Sequence, residues 1–196
     1  MMKKRFLIFG AGAIGSYLGG TLAIAGHEVI FLERKKDIPA LQKQGIIVEI
    51  KGKKTIVSSA AFTSSLDLAL SERPDLIILA VKAYHLDTIL PQLNVVKDAL
   101  PPILCLQNGV ESEKRLSDAL GSNLIIPGTV TSAVECPSKG NITVSKLRGV
   151  GIGGDLPLAE DLASTFRESG IQCIHYSNPR NMKWSKLISN LLGNAS

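Results

Sequence analysis

Short apolar runs alternate along this chain with segments of helical periodicity. The strand-like runs are Arg5–Phe9, Val29–Leu32, Ile46–Ile50, Thr55–Ser58, Asp75–Val81, Ile103–Leu106, Leu124–Pro127 and Ile171–Tyr176. The helical segments are Ala13–Ala25, Ser65–Glu72, Leu86–Ala99, Glu111–Leu120, Leu158–Ser169 and Asn178 onward. This alternation predicts an α/β fold of the Rossmann type, with a doubly wound, mostly parallel sheet.

Composition and charge narrow the class of protein. Of the 196 residues, 45% are hydrophobic and 20% are charged, which is ordinary globular usage and excludes a disordered chain. The net charge of +5 is mild, aromatic residues make up 5%, and no nucleic-acid motif is present, so no nucleic-acid partner is expected. Cys105, Cys136 and Cys173 form no C-x-x-C pair, which predicts no metal site and three small buried apolar residues in a reducing compartment.

The amino terminus resembles a targeting segment, because Lys3, Lys4 and Arg5 precede an apolar run over residues 6–26. Gly10, Gly12, Gly15, Gly19 and Gly20 interrupt that run, and a compact apolar helix tolerates them poorly. The run then continues into a second strand pattern over residues 27–33 without a cleavage-type loop. We therefore expect a cytoplasmic protein without a membrane partner.

A glycine-rich turn follows the first predicted strand. It matches the pattern G-x-G-x-x-G at Gly10, Ala11, Gly12, Ala13, Ile14 and Gly15. The turn opens a helix, and a second strand ends about twenty residues later in an acidic residue, Glu33, as a dinucleotide fingerprint requires. The first glycine permits the tight turn, the second lets the backbone approach a pyrophosphate, and the third lets the helix press against the sheet.

The residues that end the second strand leave the choice of cofactor open. Glu33 is suited to a ribose 2′-hydroxyl and favours NAD, whereas Arg34, followed by Lys35 and Lys36, is suited to a 2′-phosphate and favours NADP. A solvated charged loop would show the same residues.

Reduction of a carbonyl needs a proton donor, for which histidine is the usual candidate. His27 opens a strand within a turn and is expected to be exposed, His85 follows a strand, and His175 lies in a late strand. None has a neighbour that marks it as catalytic.

The last predicted helix offers a better polar set. Lys186, Asn190 and Asn194 recur at intervals of four residues, which keeps them within roughly 80° of one another on one helix face. They could line a cleft, or they could form the solvent face of an amphipathic helix. Lys82 and Asn108 each follow a strand at the carboxyl edge of the sheet, where ligands of open α/β sheets bind. The same residues would also be found in a surface lysine and a simple Asn-Gly turn.

Taken together, these segments resemble the ketopantoate reductase family. The resemblance covers nearly the whole chain and rests on the following segments: Gly10–Gly15, Gly26–Val29 with Arg34, Val81–Tyr84, Gln107–Gly109, Gly128–Ala133, and Lys183–Leu187 with Asn190 and Asn194. The combination of Lys-Ala-Tyr, Gln-Asn-Gly and Trp-x-Lys-Leu-x-x-Asn-x-x-x-Asn in this order is specific.

The resemblance implies NADPH-dependent reduction of 2-dehydropantoate to pantoate, a step toward pantothenate and coenzyme A. It implies that Lys186 is the general acid and that Asn190 and Asn194 bind the substrate. Asn108 would contact both substrate and nicotinamide, Arg34 the 2′-phosphate, and Lys82 and Ala133 the cofactor. Glu33 beside Arg34 leaves NAD as an alternative cofactor.

The family has an all-helical carboxy-terminal domain, of which this chain holds the first helix. The resemblance therefore implies a dinucleotide-binding domain over residues 1–177 and the start of a truncated helical substrate domain over residues 178–196. We expect little activity from the chain alone and an apolar helix face that would favour a homo-oligomer.

The alternatives to this function are a non-catalytic NAD(P)-binding module, a reductase of another 2-keto acid, and an opine-type or hydroxyacid dehydrogenase. The last commonly uses a His-centred acid–base pair.

Overall fold

The computed structural model describes residues 2–108, 111–154, 157–184 and 186. Its strands are β1 (Arg5–Phe9), β2 (Glu28–Leu32), β3 (Ile46–Ile50), β4 (Lys53–Val57), β5 (Ala61–Thr63), β6 (Leu76–Leu79), β7 (Ile103–Cys105), β8 (Ile125–Val130), β9 (Ala133–Ser138), β10 (Asn141–Lys146), β11 (Val150–Gly153) and β12 (Cys173–Tyr176). Its α-helices are α1 (Ala13–Ile24), α2 (Ile38–Gln44), α3 (Leu66–Ser71), α4 (Leu86–Val95), α5 (Glu111–Leu120) and α6 (Pro157–Glu168), and residues 179–184 and 186 are also helical.

The main sheet has eight strands in the order β12-β11-β8-β7-β6-β1-β2-β5. Every neighbouring pair is parallel except β11 with β8. The predicted doubly wound, mostly parallel α/β fold is therefore confirmed. Because β1, β2, β6, β7 and β8 run in one direction, their carboxyl ends lie at one edge of the sheet. The order reverses between β1 and β6, and such a reversal is where open α/β sheets bind ligands.

A second sheet of four strands, in the order β4-β3-β10-β9, packs against helix α1. The strand-like runs that correspond to β3 and β4 were predicted, but the pairing of β3 with β10, about a hundred residues later in the chain, was not. Gly20 shows how closely the sheet approaches α1, since a Cβ atom there would collide with the Val48 side chain. The turn between β9 and β10 thereby reaches the glycine-rich turn, where Gly140 N donates to Ala11 O at 3.1 Å.

Two hydrophobic cores cover the faces of the main sheet. One joins β1 and β2 to α1, α6 and the second sheet, with Tyr17, Phe31 and Phe166 buried in it. The other packs β6 and β7 against α3, α4 and α5. Alternate side chains of β1 enter opposite cores, which fixes the register of the strand that carries the glycine-rich turn.

The last described helix (residues 179–184 and 186) crosses strand β11 over two glycines. A Cβ atom on Gly151 would lie 2.8 Å from Met182 Sδ, and one on Gly153 would lie 2.9 Å from Pro179 Cα. The intervening Ile152 is buried in the core on the opposite face. The alternation of glycine and apolar residues thus gives β11 one flat face against which this helix packs.

Two expectations about burial are wrong. His27 is buried rather than exposed, because its ring packs edge-on against Phe6 and its Nδ1 accepts a hydrogen bond from Lys4 N at 3.1 Å. Cys136 is exposed, because it lies on β9 at the edge of the second sheet, whereas Cys105 and Cys173 are buried as predicted. Among the described residues, no helix has the length and apolarity needed to cross a membrane.

Candidate active site

The glycine-rich turn connects the carboxyl end of β1 to helix α1. Gly10 has a φ of +94°, a backbone conformation that favours glycine over other residues. Its N–H donates to Leu32 O at 3.1 Å. A Cβ atom on Gly15 would collide with the carbonyl group of Gly10, so only glycine lets α1 start this close to the turn. These are the roles predicted for the first and third glycines.

Gly12 leaves the turn open on its outer side. It is the N-cap residue of α1, no side chain caps that helix end, and a Cβ atom there would meet nothing within 4 Å. The first N–H groups of a helix without a side-chain cap are available to an anion. A dinucleotide pyrophosphate fits this cradle, in chemistry and in space.

Glu33, at the end of β2, turns inward onto the same cradle. Its Oε1 accepts from Ala11 N at 2.5 Å and its Oε2 from Arg34 N at 3.0 Å. Its side chain is 5% exposed and forms an ion pair with Lys139, which sequence reasoning did not identify. Arg34 is exposed, and its Nε donates to Asp37 Oδ2 at 3.0 Å.

The loops after β6 and β7 are joined by a buried glutamine. Gln107 Nε2 donates to Val81 O at 3.2 Å and to Lys82 O at 3.4 Å. Val81 in turn lies against the glycine-rich turn, since a Cβ atom on Gly10 would be 3.0 Å from its Cγ1. Lys82 itself is exposed at this edge. Gln107 thereby fixes the position of Asn108, the next residue, relative to the cradle.

Lys186 reaches this edge from the last described helix. Its Nζ donates to Asn108 Oδ1 at 2.8 Å. The structure therefore brings together two of the predicted site residues, the proposed acid and the asparagine after β7. Burial, followed by the charge of Lys183, lowers the pKa of Lys186 from 10.5 to about 8. An ammonium with that pKa is still mostly protonated at neutral pH but releases its proton readily, as a general acid requires.

Lys183, one helical turn before Lys186, belongs to the segment that carried the family resemblance, but sequence reasoning gave it no role. Its Nζ lies 2.5 Å from Glu113 Oε1 and donates to Gln107 O at 3.1 Å. Its side chain is 9% exposed and that of Glu113 is 13% exposed. The ion pair thus ties the helix of Lys186 to α5 and to the loop of Asn108. Its signal in the sequence was weak, because the partner lies seventy residues away.

A groove of about 630 Å³ lies beside Lys186, between the last described helix and strands β8, β11 and β12. Met182, Thr129 and Thr131 line it together with Lys186, and Arg148 and Arg167 stand at its walls. Cationic and hydroxyl groups around an apolar floor are suited to a small organic anion.

The remaining predicted residues make no contact with the pair of Lys186 and Asn108 among the described contacts, or lie outside the described residues. Ala133 begins β9, three residues beyond the end of β8, and is half-buried. Asn190 and Asn194 lie outside the described residues. His85 is exposed, and His175 Nε2 bonds Gly154 O at 2.7 Å, so neither histidine joins Lys186 and Asn108.

Comparison with known proteins shows the family to which the chain belongs. The family model described as ketopantoate reductase PanE/ApbA matches residues 6–154. The chain is 32% identical to a 2-dehydropantoate 2-reductase of Pyrococcus horikoshii, over 95% of this chain and 60% of the relative. It is 30% identical to the 2-dehydropantoate 2-reductase of Lactococcus lactis, over 88% of this chain and 58% of the relative.

A solved structure of the same kind superposes on the fold. The PanE/ApbA family ketopantoate reductase of Ralstonia eutropha matches with a TM-score of 0.80 and 29% identity, over 95% of this chain and 61% of that one. The chain therefore spans about three fifths of the length of the relatives it matches. On the family model, the sequence identities and the superposed fold, this chain belongs to the ketopantoate reductase family.

Proposed function

We propose that this chain forms the cofactor-binding part of an NADPH-dependent reductase that converts 2-dehydropantoate to pantoate, in the pathway to pantothenate and coenzyme A. The observation that carries the proposal is the 2.8 Å contact of Lys186 Nζ with Asn108 Oδ1, at the sheet edge that also holds the glycine-rich turn. Residues 1–177 would be the dinucleotide-binding domain, and residues 178–196 the start of a helical substrate domain.

Reduction of a 2-keto acid adds a hydride to the carbonyl carbon and a proton to its oxygen. A bound reduced nicotinamide would supply the hydride. Lys186 would donate the proton from Nζ to the oxygen and become a neutral amine, a form that its burial favours. Asn108 would orient Nζ through its side-chain oxygen. The product alkoxide is thus neutralised as it forms.

The remaining roles follow the family pattern. Gly10, Gly12 and Gly15 with Ala11, Ala13 and Ile14 would hold the pyrophosphate, and Arg34 the 2′-phosphate. Lys82, Asn108 and Ala133 would contact the rest of the cofactor, and Asn190 and Asn194 the substrate. We expect slow turnover, since the chain spans about three fifths of its relatives. A cytoplasmic location is part of the proposal, because buried free thiols such as Cys105 suit a reducing compartment.

The first test is a titration with NADPH and with NADH, followed by the fluorescence of Trp184, the single tryptophan. We expect saturable binding with preference for NADPH. Gly12→Asp is the matched variant, because aspartate is a favoured N-cap residue that stabilises α1 while placing a negative charge in the phosphate cradle. Folded Gly12→Asp protein should bind neither dinucleotide.

The second test adds 2-dehydropantoate to the protein saturated with NADP⁺ and repeats the measurement with Lys186→Ala. The proposal expects a further saturable change in Trp184 fluorescence that Lys186→Ala loses. A response only to other 2-keto acids would identify a different reductase. A protein that binds dinucleotide and responds to no keto acid would be a non-catalytic module, and failure to bind either dinucleotide would reject the proposal.

A further inference from the structure

The carboxylate of Glu33 has both of its oxygens occupied by groups of this chain. Oε1 accepts from Ala11 N, and Oε2 accepts from Arg34 N and from Lys139 Nζ, the last at 2.7 Å. A carboxylate at the end of the second strand of such a fold ordinarily accepts the hydroxyls of a cofactor ribose. Here the same position carries an acid that is buried and already paired.

Lys139 is held in place by its surroundings. It lies in the turn between β9 and β10, where Gln44 Nε2 donates to Lys139 O at 2.7 Å and Gly140 N donates to Ala11 O at 3.1 Å. Gly140 has a φ of +75°, and a Cβ atom there would approach Leu41. The turn is therefore built to bring the lysine of the second sheet to the glycine-rich turn of the first.

The ammonium group neutralises more than one acid. Lys139 Nζ lies 2.9 Å from Asp37 Oδ2, which also pairs with Arg34. The charges of the two carboxylates, Glu33 and Asp37, are thus balanced by those of Lys139 and Arg34. The exposed Lys35 and Lys36 then leave the end of β2 with a net positive charge. Without Lys139 the same surface would hold an uncompensated carboxylate beside Arg34.

We propose that Lys139 is a specificity-determining residue, which neutralises Glu33 and so lets the end of β2 accept a cofactor with a 2′-phosphate despite its acidic residue. The inference rests on the proposed function, because it concerns the same dinucleotide site. Lys139 acts here through Glu33 as a positioning residue. It explains how one strand end can carry both the acid typical of NAD sites and the arginine typical of NADP sites.

The test is the ratio of NADH to NADPH dissociation constants, measured by calorimetry on the whole chain. Lys139→Met should weaken NADPH binding about tenfold, since an unpaired carboxylate then faces the phosphate, and should leave NADH binding unchanged or tighter. The double variant Glu33→Gln with Lys139→Met should restore the preference, because it removes the acid together with its partner. Lys139→Arg should keep the original ratio, and Lys53→Met, on exposed strand β4, controls for loss of one positive charge.

Three results with the variants would overturn the inference: a Lys139→Met protein with the original ratio, equal weakening of NADH and NADPH binding, or a double variant that binds NADPH as weakly as the single variant does. The second would mean a purely structural role, and the third a lysine that holds the phosphate itself. An unaltered chain that binds NADH more tightly than NADPH would also overturn it. Failure of the unaltered chain to bind either dinucleotide would instead reject the proposed function, and with it the inference.

Discussion

The ammonium group of Lys186 lies 2.8 Å from the side-chain oxygen of Asn108, although 78 residues separate them in the chain. The contact joins the last described helix to the carboxyl edge of the parallel sheet. Two further pairings hold the same helix and loop, namely Lys183 with Glu113 of α5 and Gln107 with Val81 after β6. The position of the proposed acid is therefore set by contacts between segments that are far apart in the chain.

The first prediction concerns the titration of Lys186. Its pKa should be about 8, well below that of an exposed lysine, because burial disfavours the ammonium form and Lys183 adds a like charge. The measurement is carbon-13 NMR of the reductively methylated protein, with Lys186→Arg to assign the resonance. Since the acid must carry its proton, keto-acid reduction should fall as pH rises through about 8.

Lys183→Met should raise the pKa of Lys186, because it removes the neighbouring charge. Exposed Lys53 provides the control, since its removal should leave the resonance of Lys186 in place. A Lys186 resonance that titrates above pH 10 in the unaltered protein would contradict the account of this residue as a general acid.

The second prediction concerns the buried ion pair of Lys183 and Glu113. Removing one partner leaves the other charge buried, so Lys183→Met should lower the free energy of unfolding by about 3 kcal/mol. The double variant Lys183→Met with Glu113→Gln should recover much of that loss. Urea denaturation of the four proteins of this cycle measures the coupling, and strict additivity of the two single effects would show that the pair contributes nothing.

The third prediction concerns the glycine face of β11. Gly151→Val should displace the helix that carries Lys186, because even a Cβ atom there lies 2.8 Å from Met182 Sδ. Ternary-complex formation with a 2-keto acid should be lost while dinucleotide binding at the glycine-rich turn after β1 is retained. Adding Met182→Ala should restore part of the ternary-complex formation, because the smaller side chain leaves room for the valine. Equal loss of both binding steps would indicate general unfolding instead.

The fourth prediction separates the cysteines by reactivity. Cys136 is exposed on β9, whereas burial raises the pKa of Cys105 to about 12 and that of Cys173 to about 11. One thiol per native chain should react readily with a thiol reagent at pH 8, and Cys136→Ser should abolish that reaction. Rapid labelling of two or three thiols in the folded protein would contradict the burial of the other cysteines.

The local parts of this fold were predictable from the sequence, since β1, the glycine-rich turn and α5 follow from patterns within a few residues. Helix α2 and strand β5 were missed because seven and three residues carry little periodicity. The second sheet depends on β3 pairing with β10, which no local pattern encodes.

The site shows the same division. Lys186 was singled out by helical spacing and Asn108 by its position at the sheet edge, and the resemblance to a family supplied the roles expected of them. Lys183 entered only as part of the matched segment Lys183–Leu187, and Lys139 was not identified. Glu33 was correctly placed at the end of β2, but its orientation depends on Lys139, which lies 106 residues away. Charge pairing of this kind requires the tertiary structure, because the partners share neither an element nor a spacing.

The fifth prediction concerns His27, which the structure buries between β1 and the end of α6. Its Nδ1 accepts from Lys4 N and its Nε2 bonds Ser169 Oγ at 3.2 Å, so the neutral ring fits both neighbours. Burial, then the charge of Lys4, lowers the pKa of His27 below 6.5, with Glu168 opposing. The unfolded chain therefore takes up a proton more readily than the folded chain does. The contribution of His27 to the free energy of unfolding should be fully present above pH 6.5 and should be lost as the pH falls below that value.

Through this residue, the free energy of unfolding at pH 5.5 should be lower than at pH 7.5 by up to about 1 kcal/mol. In thermal unfolding this corresponds to a decrease of about 2–4 °C in Tm. His27→Gln keeps a polar side chain that does not titrate, so its own Tm should change less between the two pH values. Exposed His85 is present in both proteins, so any contribution from it cancels in the comparison. An identical pH dependence in the two proteins would mean that the His27 ring accepts the proton in the folded state as easily as in the unfolded one, and that its burial does not hold it neutral.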